Sequence, residues 1–333
     1  MNIGIAGVHY GHIGGMFRSA MNAPNGEVIG IYEPDDDLFH KYADEHNLDR
    51  FDRLEDLVAA SDLVAEGMRH EEKADLVEAC AAGGVHVFLD KPLCRNEDDY
   101  QRIAKAATNG GIKLTMNFTS RQHPPFVALR EAIQNGELGE ITSLITTHPH
   151  KLGDFAPDWY FDPERYAGVF HDLAGHGVDQ ILWLTGTTAT AVHAFSTVKR
   201  WTDEPRLDVD HIQASLQLSS GALAVATADW LTPQNSPSFG DTRFIIMGTE
   251  GSAHLRAYAE NGLLICSEKK GRYTPELPDV SNAKFVEHAI SAFEKGEENI
   301  VSTQDVLNVT RTCLAAERSA RNGGELVSLS DDK

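Results

Sequence analysis

Gly7-Val8-His9-Tyr10-Gly11-His12-Ile13-Gly14-Gly15 (GVHYGHIGG) follows the apolar run Ile3-Gly4-Ile5-Ala6. A glycine-rich turn between a strand and a helix directs helix-start amides at an anion. Gly7 can make the tight strand-to-helix turn of a G-x-G-x-x-G loop. His9 stands where the second glycine is expected, and His12 where the third is expected. A bulkier second position holds phosphates slightly further out. Gly11 and Gly14 can share the close helix–strand packing of the third. The stretch therefore reads either as a dinucleotide loop, lined by Gly7, His9, Tyr10, Gly11, His12 and Ile13, or as an ordinary turn.

The surroundings favour the loop. Strand-like runs at Asn2–Ala6, Glu27–Tyr32, Arg50–Phe51, Ser61–Glu66, Val85–Leu89 and Ile112–Asn117 alternate with helical stretches at Gly11–Ala20, Asp36–His46, Leu54–Ala60, Glu71–Ala82 and Asn96–Thr108. Strands separated by single helices pair in parallel, with right-handed crossovers covering both faces. The expectation is a Rossmann-type doubly wound parallel sheet with its ligand outside the carboxyl ends of the strands. Glu33 ends the second strand, roughly 20 residues beyond the loop, where a carboxylate accepts both ribose hydroxyls. It repels a 2′-phosphate, which favours NAD over NADP. Asp90-Lys91-Pro92 leaves the strand VHVFL on the same side. A partly desolvated Lys91 can hold a substrate hydroxyl and lower its pKa by charge, and Pro92 fixes the chain direction.

After about residue 120 the pattern changes. A helix from His123 ends at Gly136 and Gly139. Strand-like runs then dominate: Ile141–His148, Ala189–Val198, His211–Leu218, Ala222–Trp230, Thr242–Met247, Ala253–Tyr258 and Leu263–Cys266. Hairpin-linked strands, with Ser219-Ser220-Gly221 as one turn, predict an α+β domain on a large, mostly antiparallel sheet with helices on one face. Helices at Ala283–Lys295 and Thr303–Arg321 close the chain, the last with Ser302 and Asp305 as a capping pair. The expected domains are 1–120, binding NAD(P), and 121–333, for substrate and oligomerisation.

One helix, Gly168 to Gly186, carries Phe170, Leu173, Gly177, Ile181 and Leu184 on one face and Asp172, His176 and Asp179 on another, at i, i+4 and i+7. Apolar flanks separate this polar stripe from an ordinary solvated face, and carboxylates there need a partner or a ligand. Asp172 and His176 can form an acid/base pair in which the imidazole takes a proton from an alcohol. Asp179 suits a helix-to-helix hydrogen bond. Asp172, His176 and a histidine of His148–His150 could also bind zinc, but no third ligand has a characteristic spacing, so no metal is expected. Trp159, Tyr160, Arg165, Tyr166 and Trp230 are candidate pocket residues. Gly153–Tyr166 reads as a lid or as a surface loop pinned by aromatics.

Bulk properties limit partners. The chain has 333 residues, 41% of them hydrophobic, enough for two domains; Lys+Arg of 29 against Asp+Glu of 50 gives −21. Such acidity repels nucleic acid and anionic membranes. Met1 runs straight into a strand and no apolar run reaches membrane-spanning length, so neither a leader nor an anchor is expected. Cys80, Cys94, Cys266 and Cys313 are scattered, which suits a reducing, cytoplasmic compartment.

Together these features resemble the glucose–fructose oxidoreductase / inositol dehydrogenase family (Gfo/Idh/MocA) across nearly the whole chain. The family's E-K-P appears as Asp90-Lys91-Pro92, and its G-G-x-x-x-D-x-x-x-H helix as Ala167-Gly168 through Asp172 and His176. Its R-x-x-P and G-x-x-G appear as Arg121–Pro124 and Gly136–Gly139, and its G-T-E-G-S hairpin as Gly248–Ser252. The fourth strand, which in the family usually ends in T-P-N with a histidine shortly after, ends here in Glu66-Gly67-Met68-Arg69-His70. The resemblance implies an NAD(P)-dependent oxidoreductase of sugars, cyclitols or related polyols, a dimer or tetramer assembled through the open sheet. It implies that Lys91 and His176 flank the reacting hydroxyl, with His176 the proton acceptor and Asp172 holding substrate. Asp90, Lys91 and Pro92 would line the cofactor, and Arg121, Trp159 and Tyr160 the substrate. It also admits a protein that keeps NAD bound and uses it transiently for elimination, glycoside cleavage or epimerisation. A non-catalytic nucleotide sensor is the reading from another class.

Overall fold

The structure is a computed structural model and describes residues 1–9, 12–153, 156–203, 206–260 and 262–329. Tyr10, Gly11, Asp154 and Phe155, named above for the loop and the lid, lie outside them. The chain divides into two compact units, Met1–Thr119 with Ser281–Leu307, and Ser120–Val280 with Asn308–Lys333. The break after Thr119 falls beside the expected one. The second unit is not continuous, however: Ser281–Leu307 clusters with the first.

In the first unit the chain runs β1 (Asn2–Val8), α1 (Ile13–Met21), β2 (Glu27–Tyr32), α2 (Asp36–Ala43), α3 (Leu54–Ala60), β3 (Leu63–Gly67), α4 (Lys73–Gly83), β4 (His86–Leu89), α5 (Glu97–Gly110) and β5 (Leu114–Met116). Among the described residues these strands form one parallel sheet in the order β2-β1-β3-β4-β5. β3 is buried along its whole length, and β1 from its second residue on, as expected of strands covered on both faces. Arg50, expected in a short strand, makes only an isolated bridge to Ile31. Asp35 caps α2 by accepting from the Leu38 amide at 3.0 Å, and Asn96 caps α5 through the Asp99 amide at 2.9 Å.

The second unit contributes α6 (Pro124–Gln134), β6 (Ile141–Pro149), α7 (Gly175–Thr185), β7 (Ala189–Thr197), β8 (His211–Leu218), β9 (Leu223–Asp229), β10 (Arg243–Gly248), β11 (Gly251–Arg256), α8 (Ala257–Glu260), β12 (Gly262–Ser267) and β13 (Gly271–Tyr273). The chain closes with α9 (Phe285–Glu294), α10 (Thr303–Arg321) and β14 (Val327–Ser328). The second sheet has the order β13-β12-β11-β10-β6-β9-β8-β7-β14. Its pairs are antiparallel except β6 with β9. β8 alternates strictly between buried and accessible residues, the mark of a sheet covered on one face. Ile145, Phe195, Leu223 and Met247 remain exposed. The strand expected to run through Tyr258 stops at Arg256, where α8 begins. Ser302 and Asp305 form the expected reciprocal cap of α10: the Ser302 amide donates to Asp305 at 2.9 Å, and the Asp305 amide to Ser302 Oγ at 3.1 Å.

Candidate active site

In the first unit the strand order reverses at β1, and β1 and β3 open the crevice where doubly wound sheets bind ligands. Gly7, the residue before the last of β1, has φ +68°, and a Cβ there would lie 2.6 Å from Met68 Cγ, so the position admits glycine alone. Of the two glycines expected to make the close helix–strand approach, Gly11 lies outside the described residues and Gly14 does not make it. A Cβ on Gly67 of β3 would meet Ile13 at 2.7 Å, whereas one on Gly14 would find only ordinary contacts. Gly67 thus supplies what His12 cannot, and its carbonyl accepts from the His9 amide at 2.9 Å. His12 makes no side-chain cap at the N-terminus of α1, the end of a helix that favours an anion. This cradle fits a dinucleotide.

Glu33 is where the sequence places it but is more engaged than expected. Its carboxylate is fully enclosed and accepts from the Val8 amide (2.9 Å), the Asp35 amide (2.9 Å) and His9 Nε2 (3.2 Å). It braces the turn that begins the loop. Burial alone would raise its pKa, but the hydrogen bonds from His9, Asp35 and Val8 prevail and hold it below 4.5. A carboxyl with a depressed folded pKa contributes stability above its unfolded pKa and loses it as the pH falls through the folded value. Glu33→Gln is therefore expected to flatten the acid limb of melting temperature against pH below about 4.5. Thermal melts between pH 7 and pH 3 check this; an unchanged acid limb would mean that another carboxylate governs it.

β4 ends in Asp90-Lys91-Pro92, with a cis bond between the last two. Lys91 is only 3% exposed. Asp90 is buried and accepts from the Lys91 amide at 2.8 Å; His12 Nδ1 lies 3.2 Å from the same oxygen. Burial pushes the Asp90 carboxyl up, but the charges of His12, Lys73 and Lys91 and the His12 hydrogen bond outweigh it, and the pKa is lowered. Both loop histidines thus reach carboxylates at strand ends. Beneath the turn lie Glu66, marked in the sequence only as part of the altered strand end, and Lys73, which nothing in the local pattern marks. Burial pushes the Glu66 carboxyl up to about 7 against the pull of Lys73.

In the second unit, Asp172 and His176 ride on the expected helix, but its first turn, Phe170–Ala174, is π-helical and α7 follows from Gly175. Such bulges concentrate at functional sites, and this one breaks the even stripe drawn at helical spacing. Glu317 holds the entry, accepting from the Phe170 amide at 2.8 Å and the His171 amide at 3.4 Å. Gly168, with φ +98°, has no room for a side chain beside that carboxylate. Glu317 lies more than a hundred positions away in sequence, so no local signal shows it.

Asp172 is fully buried, while His176 is half-buried. Tyr166 donates its hydroxyl proton to Asp172 Oδ2 at 2.7 Å, and the Trp230 indole donates to the Tyr166 oxygen at 3.3 Å. Burial and the Asp172 charge drive the Tyr166 pKa well up, which keeps the phenol a donor. Tyr160 stacks on Tyr166 with centroids 5.1 Å apart, and Trp159 meets Tyr160 edge-on at 4.6 Å. The aromatics read as pocket candidates thus form one cluster around Asp172. His148, weighed as a ligand, bonds Thr146 Oγ1 at 2.9 Å, and burial presses its pKa down to about 3.

Arg121 departs from its expected part as a substrate contact. Its Nη2 donates to Asp179 Oδ1 at 2.6 Å, and its Nε lies 3.1 and 3.2 Å from the two carboxylate oxygens. The two side chains are 2% and 1% exposed. A guanidinium so enclosed ties the segment before α6 to α7, and Asp179 makes the inter-element bond expected of it.

A parallel sheet with a positive-φ glycine at its switch point gives the first unit the architecture of a nucleotide-binding Rossmann domain. Residues 1–118 match the model of the oxidoreductase family with an NAD-binding Rossmann fold, and residues 126–254 that of the GFO/IDH/MocA C-terminal domain. The chain belongs to the Gfo/Idh/MocA family and is an NAD(P)-dependent dehydrogenase or reductase of CH–OH groups. Inositol 2-dehydrogenase of Rhizobium meliloti is 28% identical over 74% of either chain. An NADP+-dependent D-xylose 1-dehydrogenase of Haloferax volcanii is 27% identical over 75% of either. An oxidoreductase from Agrobacterium radiobacter, solved with NAD+, L-tartaric acid and magnesium, superimposes with a TM-score of 0.85 at 19% identity over 98% of each chain. The last likeness concerns the fold.

Proposed function

We propose that this protein oxidises a hydroxyl-bearing carbon of a sugar, cyclitol or related polyol, with NAD rather than NADP as the cofactor. The observation that carries the reading is the burial of Lys91 at the end of β4, together with a buried Asp172, bonded to Tyr166, on the helix that carries the half-buried His176. Gly7, His9, His12, Ile13 and the Asp90–Pro92 turn hold the nucleotide, and Glu33, enclosed and bonded to the Val8 amide and to His9, braces that loop rather than touching the ribose. When bound, the nicotinamide supplies the hydride acceptor. His176, the accessible member of its pair, takes the hydroxyl proton. The Lys91 ammonium, shielded from water, stabilises the alkoxide that develops there. Asp172, fixed by Tyr166, orients the imidazole and the substrate. Trp159 and Tyr160 offer ring faces to the C–H surface of a polyol. The acidic run Glu33-Pro34-Asp35-Asp36-Asp37 disfavours a 2′-phosphate.

Among the described residues no helix is long and apolar enough to cross a membrane. The exposed apolar residues on the open sheet support a homodimer or homotetramer, and four unbridged cysteines fit a cytoplasmic location.

Calorimetric titration of nucleotide-stripped protein with NAD+ and then NADP+ tests the cofactor, and a polyol panel followed at the NADH absorbance tests the reaction. Binding of NAD+ at least tenfold tighter than NADP+ is expected, with continuous release of NADH. Preference for NADP+ would overturn the cofactor assignment. A single stoichiometric burst of bound NADH would point instead to a nucleotide that stays in place through elimination or epimerisation.

A further inference from the structure

Lys73 is one of the largest fully buried side chains of the protein, at 0% exposure. A buried ammonium must use its donors. Lys73 Nζ donates to the Asp90 carbonyl at 2.7 Å and the Pro92 carbonyl at 2.9 Å, and lies 3.0 Å from Glu66 Oε1. Three acceptors take its three donors. Two of them are the carbonyls immediately before and after Lys91.

Glu66 completes the grip. Its Oε1 accepts from the Asp90 amide at 2.7 Å and its Oε2 from the Met68 amide at 2.9 Å. The Lys91 amide is taken by Asp90 Oδ1. The turn that presents Lys91 is thus pinned at Asp90 N, Asp90 O, Lys91 N and Pro92 O by side chains sealed from water. Glu66 and Lys73 come from β3 and α4, so three elements converge on one lysine.

Stability does not explain such an arrangement. A buried ion pair loses much of its attraction to desolvation, and well-packed apolar replacements are often neutral or better. What the pair supplies is geometry: it fixes the backbone from which a flexible four-carbon stem departs. We propose that the Glu66–Lys73 pair is a positioning device for Lys91, holding its ammonium where the substrate hydroxyl reacts. The catalytic half of this inference rests on the function proposed above; the positioning half does not.

Single substitutions leave a buried charge and endanger folding, so the test uses the apolar pair Glu66→Leu/Lys73→Met. Folding is checked by thermal melt and by NAD+ titration. Acylation of the Lys91 amine, read by mass spectrometry of its peptide, requires no substrate. It is expected to quicken at least tenfold in the folded double variant as the turn loosens. With the polyol the wild type turns over best, kcat should fall about 10- to 100-fold, because small misplacements of a reacting group cost that much, while KM moves less than about threefold. Adding Lys91→Met should cost the double variant far less than it costs the wild type, since the pair acts through that lysine. A folded double variant that labels Lys91 at the wild-type rate overturns the proposal, as do losses that simply multiply with Lys91→Met. If no polyol is oxidised by the wild type, the functional reading fails by itself, and the labelling rate still decides the positioning claim. If the double variant does not fold, Lys73→Arg, which keeps the charge but not the compact three-way reach, is labelled instead, with the same outcomes.

Discussion

His176→Asn is expected to lower kcat by about 10²- to 10⁴-fold, the usual worth of a positioned general base, while NAD+ affinity changes little. Asparagine approximates the polar end of the imidazole and keeps hydrogen-bonding capacity, but it cannot accept a proton. The surroundings are built for that one property. Asp172 is fully buried and fixed by the Tyr166 hydroxyl, so it acts on its neighbours without reaching solvent. His176 is the more accessible of the two. The helix carrying both is anchored by Glu317 on the first amides of its π-helical turn. Steady-state rates at the NADH absorbance check the loss. The pH profile adds a second readout: the limb that reports ionisation of the proton acceptor should flatten in the variant. If kcat survives, the proton leaves by another route and His176 is not the general base.

What the sequence showed depended on how local the cause was. Glu27–Tyr32, Leu54–Ala60 and Thr303–Arg321 have the same bounds in the structure as in the pattern, because periodicity and capping act within the segment. The same locality revealed Gly7, Lys91 and the Asp172/His176 helix. The bulged turn stayed hidden, and Glu317, which accepts from its first amides, comes from a distant helix. Gly67 escaped notice for a related reason: a missing Cβ matters only against its neighbour, and Ile13 becomes that neighbour once β1 and β3 pair. Glu66 and Lys73 read as a strand end and a helix start. Only the fold puts Asp90 and Pro92 beside them. Ser281–Leu307 likewise joins the first unit through packing, with no break in composition to announce it.

Arg121 is the residue whose part changed most between sequence and structure, and its replacement should be the costliest to stability. Arg121→Met removes a bidentate guanidinium from a pair in which both side chains are almost fully enclosed. Asp179 would keep its charge without its chief counter-ion. Breaking a buried pair from one side costs about 3–5 kcal/mol. That loss should appear in urea unfolding as a lower midpoint at unchanged slope. Arg121→Lys is expected to recover only part of it, since an ammonium cannot reproduce two directed bonds to one carboxylate. Arg121→Met/Asp179→Leu should regain most of it, because the orphaned charge goes too. This order separates the two parts that Arg121 could play. A substrate contact would leave the midpoint in place and raise KM, and removing Asp179 would not repair it. A structural tie gives the reverse. Because Asp179 lies less than one turn beyond His176 on α7, a loosened tie should also lower kcat in the single variant, through the helix rather than through the substrate.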